Sequence, residues 1–228
     1  MLRPSAVLTG LFFFAAATAW AQGPPGVNIH KAAPTVAQRT FDPKRPPKDI
    51  PVMIPGEAGL THYEYTTDIA VAGDTDVLGP GSVNVTIDTA DINLSLPITV
   101  WLENNAPQVM VQHENGHVAI SEYYYANIDV YARRAGQAVM GKTFSGTGKD
   151  KQSAEDNATN KAIQQIEKAI LDQTRVRAVS GNDRYDQITN HGRNPGSQAD
   201  AATQAENQDP EPSGGKGASA QPSSGPQL

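Results

Sequence analysis

The sequence predicts an α+β domain, and three observations carry that reading. Apolar residues recur at every second position in the first half of the chain and at helical spacing in the second half. Composition also changes sharply on either side of residues 57–194. Strands gathered ahead of helices, instead of alternating with them, indicate segregated sheet and helix layers.

The chain opens with Met1 and Arg3, followed by an apolar run that includes Leu11 to Phe14 and Ala15 to Ala17. Small residues at Ala19-Trp20-Ala21 complete the layout of a secretory signal, so residues 1–21 are expected to be cleaved and the rest exported to the periplasm or exterior. The run is short of the ~20 apolar residues a bilayer span takes, so no stable membrane insertion is expected after cleavage. Residues 22–56 are dense in proline (Pro24, Pro25, Pro34, Pro43, Pro46, Pro47, Pro51, Pro55) and read as an extended leader outside the core. From Pro195 to Leu228 large apolar residues are almost absent, and the expectation is a disordered tail. One folded domain remains, residues 57–194.

Within it, Tyr63, Tyr65 and Thr67 alternate with polar neighbours and Ile69 to Ala72 follow. Val83, Val85 and Ile87 alternate cleanly, then Ile92, Leu94 and Leu96. Ile98 to Leu102 continue the pattern, with Pro97 marking an edge or a break. Asn104-Asn105-Ala106-Pro107 resembles a helix start, and no proline interrupts the chain from there to about Met140. A second helix is expected from Asp150 to about Val179, with Ile163, Ile166 and Ile170 on one stripe. The chain has no cysteine, which excludes disulfides, thiolate ligands and a thiol-linked lipid anchor. With 24 acidic against 18 basic residues and no basic stripe, nucleic acid is not an expected partner.

The first long helix carries His113-Glu114-Asn115-Gly116-His117. Residues four apart point about 40° apart on one helix face, so both imidazoles reach one ion, and zinc is the expected cofactor. Glu114 lies one step round, placed to take a proton from a water that the zinc activates. Shuffled chains of this composition contain the pattern roughly 0.4% of the time. A catalytic zinc usually has a third protein ligand. Glu122 faces away from His113 on a continuous helix. Glu155, Glu167, Asp172 and His191 remain as candidates, Glu167 being the best placed of the second helix.

The helix motif continuing to Ile120, Glu122 and Tyr124-Tyr125-Ala126, the β-rich segment ending Leu96-Pro97, and Tyr185-Asp186-x-x-Thr189-x-His191-Gly192 together resemble the bacterial family of predicted secreted zinc-dependent proteases. Ile188 and Val118-Ala119 depart from its pattern. The resemblance implies a zincin-like fold: a small twisted sheet, an active-site helix and a second long helix. It implies a metallopeptidase acting on a peptide or protein substrate, and it raises His191 above Glu167 as third ligand. Tyr185 would then stabilise the oxyanion, and Asp186 would orient a metal-bound imidazole. The strand Ile98 to Leu102 is expected to pair with the extended substrate. The alternative is a non-catalytic binding or scaffolding protein of the cell envelope with a structural or vestigial zinc site, a structural one being closed by His62, Glu122 or Glu167.

Overall fold

The computed structural model describes residues 26–51, 58–194 and 196–208, so the expected signal segment lies outside the described residues. The clean alternation of Val83, Val85 and Ile87 is built as part of one long strand, β5 (Ser82–Ser95), which pairs antiparallel with β4 (Thr66–Gly79). The buried positions of β5 change phase between Ile87 and Ala90, Ile92 and Leu94. The register of the pair slips at the same place, between Ala72 and Gly73 of β4. An extra residue in one strand shifts its alternation by one, so both halves of β5 keep their apolar side chains on the core.

The Pro-rich leader is not merely an extended approach. Residues Gly26–Lys31 form β1, parallel to the second half of β5, and Thr35–Phe41 form β2, parallel to β6 (Pro97–Glu103). Each covers a strand edge that would otherwise stand open, and backbone pairing needs no apolar pattern of its own. The first half of that same edge of β5 is covered by β7 (Thr143–Thr147). Pro97 marks a break, as expected: the chain leaves the first sheet at Ser95 and enters a second, three-stranded sheet of order β2-β6-β3, with β3 being Gly59–Tyr63. β6 is therefore central, and both of its edges are already paired. It cannot take a substrate strand, and the expectation for Ile98 to Leu102 passes to β3.

Among the described residues five helices follow or interleave: α1 (Gln108–Tyr125), α2 (Ile128–Gln137), α3 (Lys151–Gln173), α4 (Arg175–Thr189) and α5 (Gln198–Asn207). The single helix expected to reach Met140 divides after Tyr125, where Asn127 takes φ −108°, ψ 14°. The second divides at the buried Thr174, whose hydroxyl donates to the Ile170 carbonyl. On α3, Ala154, Ala158, Ala162, Ile166 and Ile170 form the buried stripe against the first sheet and β7. α1, α4 and α5 pack on one another, and β3 lies along α1. α5 corrects the expectation of a disordered tail for residues 196–208. Its buried residues are Gln198, Ala202 and Ala205, so it docks through small side chains that an apolar count overlooks. No helix among the described residues is long and apolar enough to cross a membrane.

Candidate metal centre

On α1 the buried residues are His113, Glu114, Gly116, Ile120, Ser121, Tyr124 and Tyr125. The helix thus turns its two-histidine face inward, onto α4. The facing side of α4 carries Asn182, Tyr185, Asp186 and Thr189, a polar stripe at i, i+3, i+4 and i+7. The Tyr185 ring forms the floor of the site: it stacks on His113 with centroids 4.9 Å apart and meets His117 edge-on at 4.9 Å. So close an approach requires Gly116, because a Cβ there would stand 2.2 Å from the Tyr185 hydroxyl oxygen.

The amide of Asn182 fixes the state of His117. Its Nδ2 donates to the Ala178 carbonyl at 2.8 Å, and since that oxygen only accepts, the assignment of the two amide ends is determined. Asn182 Oδ1 therefore faces His117 Nδ1 at 2.7 Å and holds the proton on that nitrogen. Nε2 is left with its lone pair. His113 is held in the same way, more loosely. Its Nδ1 lies 3.4 Å from both Gln198 Oε1 and Thr189 Oγ1, the latter hydroxyl being committed as a donor to the Tyr185 carbonyl.

Both bare nitrogens converge on one carboxylate oxygen. Asp186 Oδ1 lies 3.2 Å from His113 Nε2 and 3.2 Å from His117 Nε2, which are themselves 3.2 Å apart. This oxygen is buried, and the two imidazole nitrogens are the polar atoms that face it. Three donor atoms gathered this closely could hold a metal ion. Ligand atoms about 2.0–2.1 Å from a tetrahedral zinc stand roughly 3.3–3.4 Å apart, so three separations of this size fit the ion. His113, His117 and Asp186 are the group among the described residues whose ligand atoms come together to hold a metal. Burial alone would raise the Asp186 carboxyl, but hydrogen bonds and positive charge from His113 and His117, when a second proton occupies Nε2, outweigh it and hold it well below the ordinary carboxylate range. Burial likewise disfavours a charged His117, yet Asp186 and Glu114 offset it and raise its affinity for a proton.

Glu114 is buried beside this cluster. The Thr61 hydroxyl donates to its Oε2 at 2.7 Å, and its Oε1 lies against Gly59 of β3. Burial raises its pKa, with His117 and the Thr61 hydroxyl opposing, so its carboxylate is a stronger base than an exposed one. Gly59, Thr61, Tyr63, Met110, His113, Glu114, His117, Asn182, Asp186 and His191 line one cleft of about 270 Å³. Within the β3–β6 pair, Ala58 O accepts from Glu103 N and Glu64 N donates to Pro97 O. By antiparallel alternation the backbone groups of Gly59, Thr61 and Tyr63 then point outward, along an edge with no further strand among the described residues.

The terminal motif closes on the same helix, with roles differing from those expected of it. Asp186, expected behind an imidazole, joins His113 and His117 in the group that could hold a metal ion. His191, expected there, sits at the cleft mouth, 39% exposed by side chain, with Nδ1 3.6 Å from Asp186 Oδ1. Asn190, His191 and Gly192 are all left-handed (φ 50°, 53° and 73°), and Gly192 packs directly on the His113 side chain. Tyr185 is fully buried, its hydroxyl 3.1 Å from the His113 carbonyl oxygen and 3.0 Å from Gln198 Oε1, so it cannot serve as the expected oxyanion partner. The other candidates stay apart from the cluster. Glu122 and His62 are exposed, Glu167 lies near the Thr67 hydroxyl, and Glu155 and Asp172 pair with Lys151 and Lys168. Asn182, Gln198 and Thr61 were not singled out in the sequence. The spacing of Asn182 from Asp186 was a usable signal, whereas Gln198 and Thr61 carry none.

No family model matches the chain, and no curated protein or solved structure matches it either. The functional reading therefore rests on the geometry of the site.

Proposed function

We propose that this chain is an exported zinc-dependent metallopeptidase of zincin-like architecture, with His113, His117 and Asp186 as metal ligands and Glu114 as general base. One observation carries the reading: the His113/His117/Asp186 cluster and the buried Glu114 share a single cleft that runs under a free strand edge. A zinc ion in such a site supplies Lewis acidity, lowering the pKa of a water molecule and polarising a carbonyl. Glu114 is placed to take the proton of an attacking water in the cleft and to return it to the leaving amine. Thr61 holds the carboxylate toward the cleft during both steps. The outward backbone groups of Gly59, Thr61 and Tyr63 bind an extended peptide as an added strand, placing one peptide bond beside Glu114. The same two-His, one-carboxylate donor set also suits ferrous iron. A buried carboxylate base beside the ligands favours hydrolysis. Export rests on the signal-like segment 1–21.

The second reading, a structural metal site, draws on His191. If its ring completes a fourth protein ligand, no position is left for water. Glu114→Gln separates the two readings. On a peptide library with metal content measured in parallel, the peptidase reading expects metal retained and turnover lowered about 10²–10⁴-fold. Equal turnover in parent and variant would overturn it.

A further inference from the structure

With Tyr185 committed beneath the helix, the cleft still needs a donor for the negative charge that develops on the carbonyl oxygen of a cleaved bond. We infer that Tyr63 of β3 is that donor, an inference that rests on the peptidase reading. Three observations carry it. Its side chain lines the cleft together with His113, Glu114, His117 and Asp186. Its oxygen accepts from Asn182 Nδ2 at 3.2 Å, using the amide hydrogen that the Ala178 carbonyl does not take. The Tyr63 hydroxyl proton consequently has no acceptor among the described residues and is available to the cleft.

The same Asn182 amide accepts from His117 Nδ1 at its other end. One buried side chain thus sets both the metal-facing nitrogen of His117 and the position of the Tyr63 hydroxyl. Tyr63 is also one of the residues whose backbone faces the free edge, so a peptide added to β3 would meet its backbone and its hydroxyl together. The Tyr63 ring packs T-shaped against Tyr65 with centroids 5.9 Å apart, which limits the ring's swing. Charge balance is simple: the hydroxyl donates a hydrogen bond to the developing oxyanion and keeps its proton, while Glu114 carries the proton that moves.

The test compares Tyr63→Phe with the parent, both zinc-restored, on a quenched fluorescent peptide that the parent cleaves and on its phosphonate analogue, whose tetrahedral oxyanion mimics the developing charge. The expected result is a fall in kcat of about 10²–10³-fold with KM and zinc content nearly unchanged. Phosphonate affinity should fall by a similar factor while affinity for the uncleaved peptide holds. A merely structural tyrosine would lower zinc content or melting temperature instead and leave the ratio of the two affinities alone. Unchanged kcat and phosphonate affinity in Tyr63→Phe, with Glu114→Gln inactive, would overturn this inference and leave the peptidase reading standing. Absence of any turnover in the parent would overturn both.

Discussion

Gly116→Ala tests whether the Tyr185 floor couples the two helices of the site. The added Cβ would lie 2.2 Å from the Tyr185 hydroxyl oxygen and 2.3 Å from the ring carbon that bears it, where ordinary contact begins at 3.4 Å. The ring or the helix must therefore retreat by about 1.2 Å, the difference between 3.4 and 2.2. The ring has little room, being fully buried with its hydroxyl held between the His113 carbonyl and Gln198. Overpacking of this kind costs about 1–3 kcal/mol or more, and alanine's better helix propensity returns about 1 kcal/mol. A net loss of about 2 kcal/mol corresponds to a fall in Tm of roughly 4–8 °C for a chain of this size. Because Asp186 follows Tyr185 on α4, the same shift widens the 3.2 Å separations and weakens metal retention. Thermal melts with and without zinc, together with a chelator competition, report both effects. A variant that melts at or above the parent temperature and retains zinc equally would refute the coupling.

Three further outcomes are expected. Asn182→Ala frees the His117 tautomer, so competition with a chromophoric chelator should show zinc affinity reduced about 10–100-fold with the fold intact. Ending the chain after Asn194 removes α5 and the Gln198 acceptor of the buried Tyr185 hydroxyl, costing at least about 1 kcal/mol in urea denaturation and lowering zinc retention. Lys31, which hydrogen-bonds Asp129 across from β1 to α2, holds that carboxyl below its ordinary pKa. A depressed carboxyl contributes stability that is present above its unfolded pKa of about 3.9 and lost as pH falls through the folded value. Lys31→Met should therefore lower the urea midpoint slightly more at pH 7 than at acid pH, the difference shrinking as pH falls below the ordinary carboxylate range, while the part due to the lost bond to the Ala126 carbonyl persists at both. A loss that does not change with pH would remove the Asp129 pair from the account.

Much of the sheet was legible because half-buried strands announce themselves by period. Even the bulge in β5 is written in the change of phase from Val83, Val85, Ile87 to Ile92, Leu94, Leu96. What the pattern hid were elements that fold by covering others. β1 brings only Val27 and Ile29 to the core, β2 contributes mainly backbone to a sheet edge, and α5 docks largely on alanines, so each has too short an apolar signature to be read as a core segment. The helix motif was legible because His113 and His117 carry chemistry at a helical spacing. The third member of the candidate metal group was not, since Asp186 and His191 both sit in one short motif. Only the course of α4, which continues through Thr189 before the left-handed turn, decides which one faces α1. In the sequence Tyr63 carries only the strand alternation; its place opposite Asn182 depends on packing between segments 119 residues apart.

The most direct test of the account is metal per chain in the mature protein, in Asp186→Asn and in His191→Ala, measured by elemental analysis after dialysis against a weak chelator. The account predicts near-stoichiometric zinc in the parent, a large loss in Asp186→Asn and retention in His191→Ala. Retention in Asp186→Asn with loss in His191→Ala would return the third ligand to His191, and a parent without tightly held metal would contradict the metal centre itself.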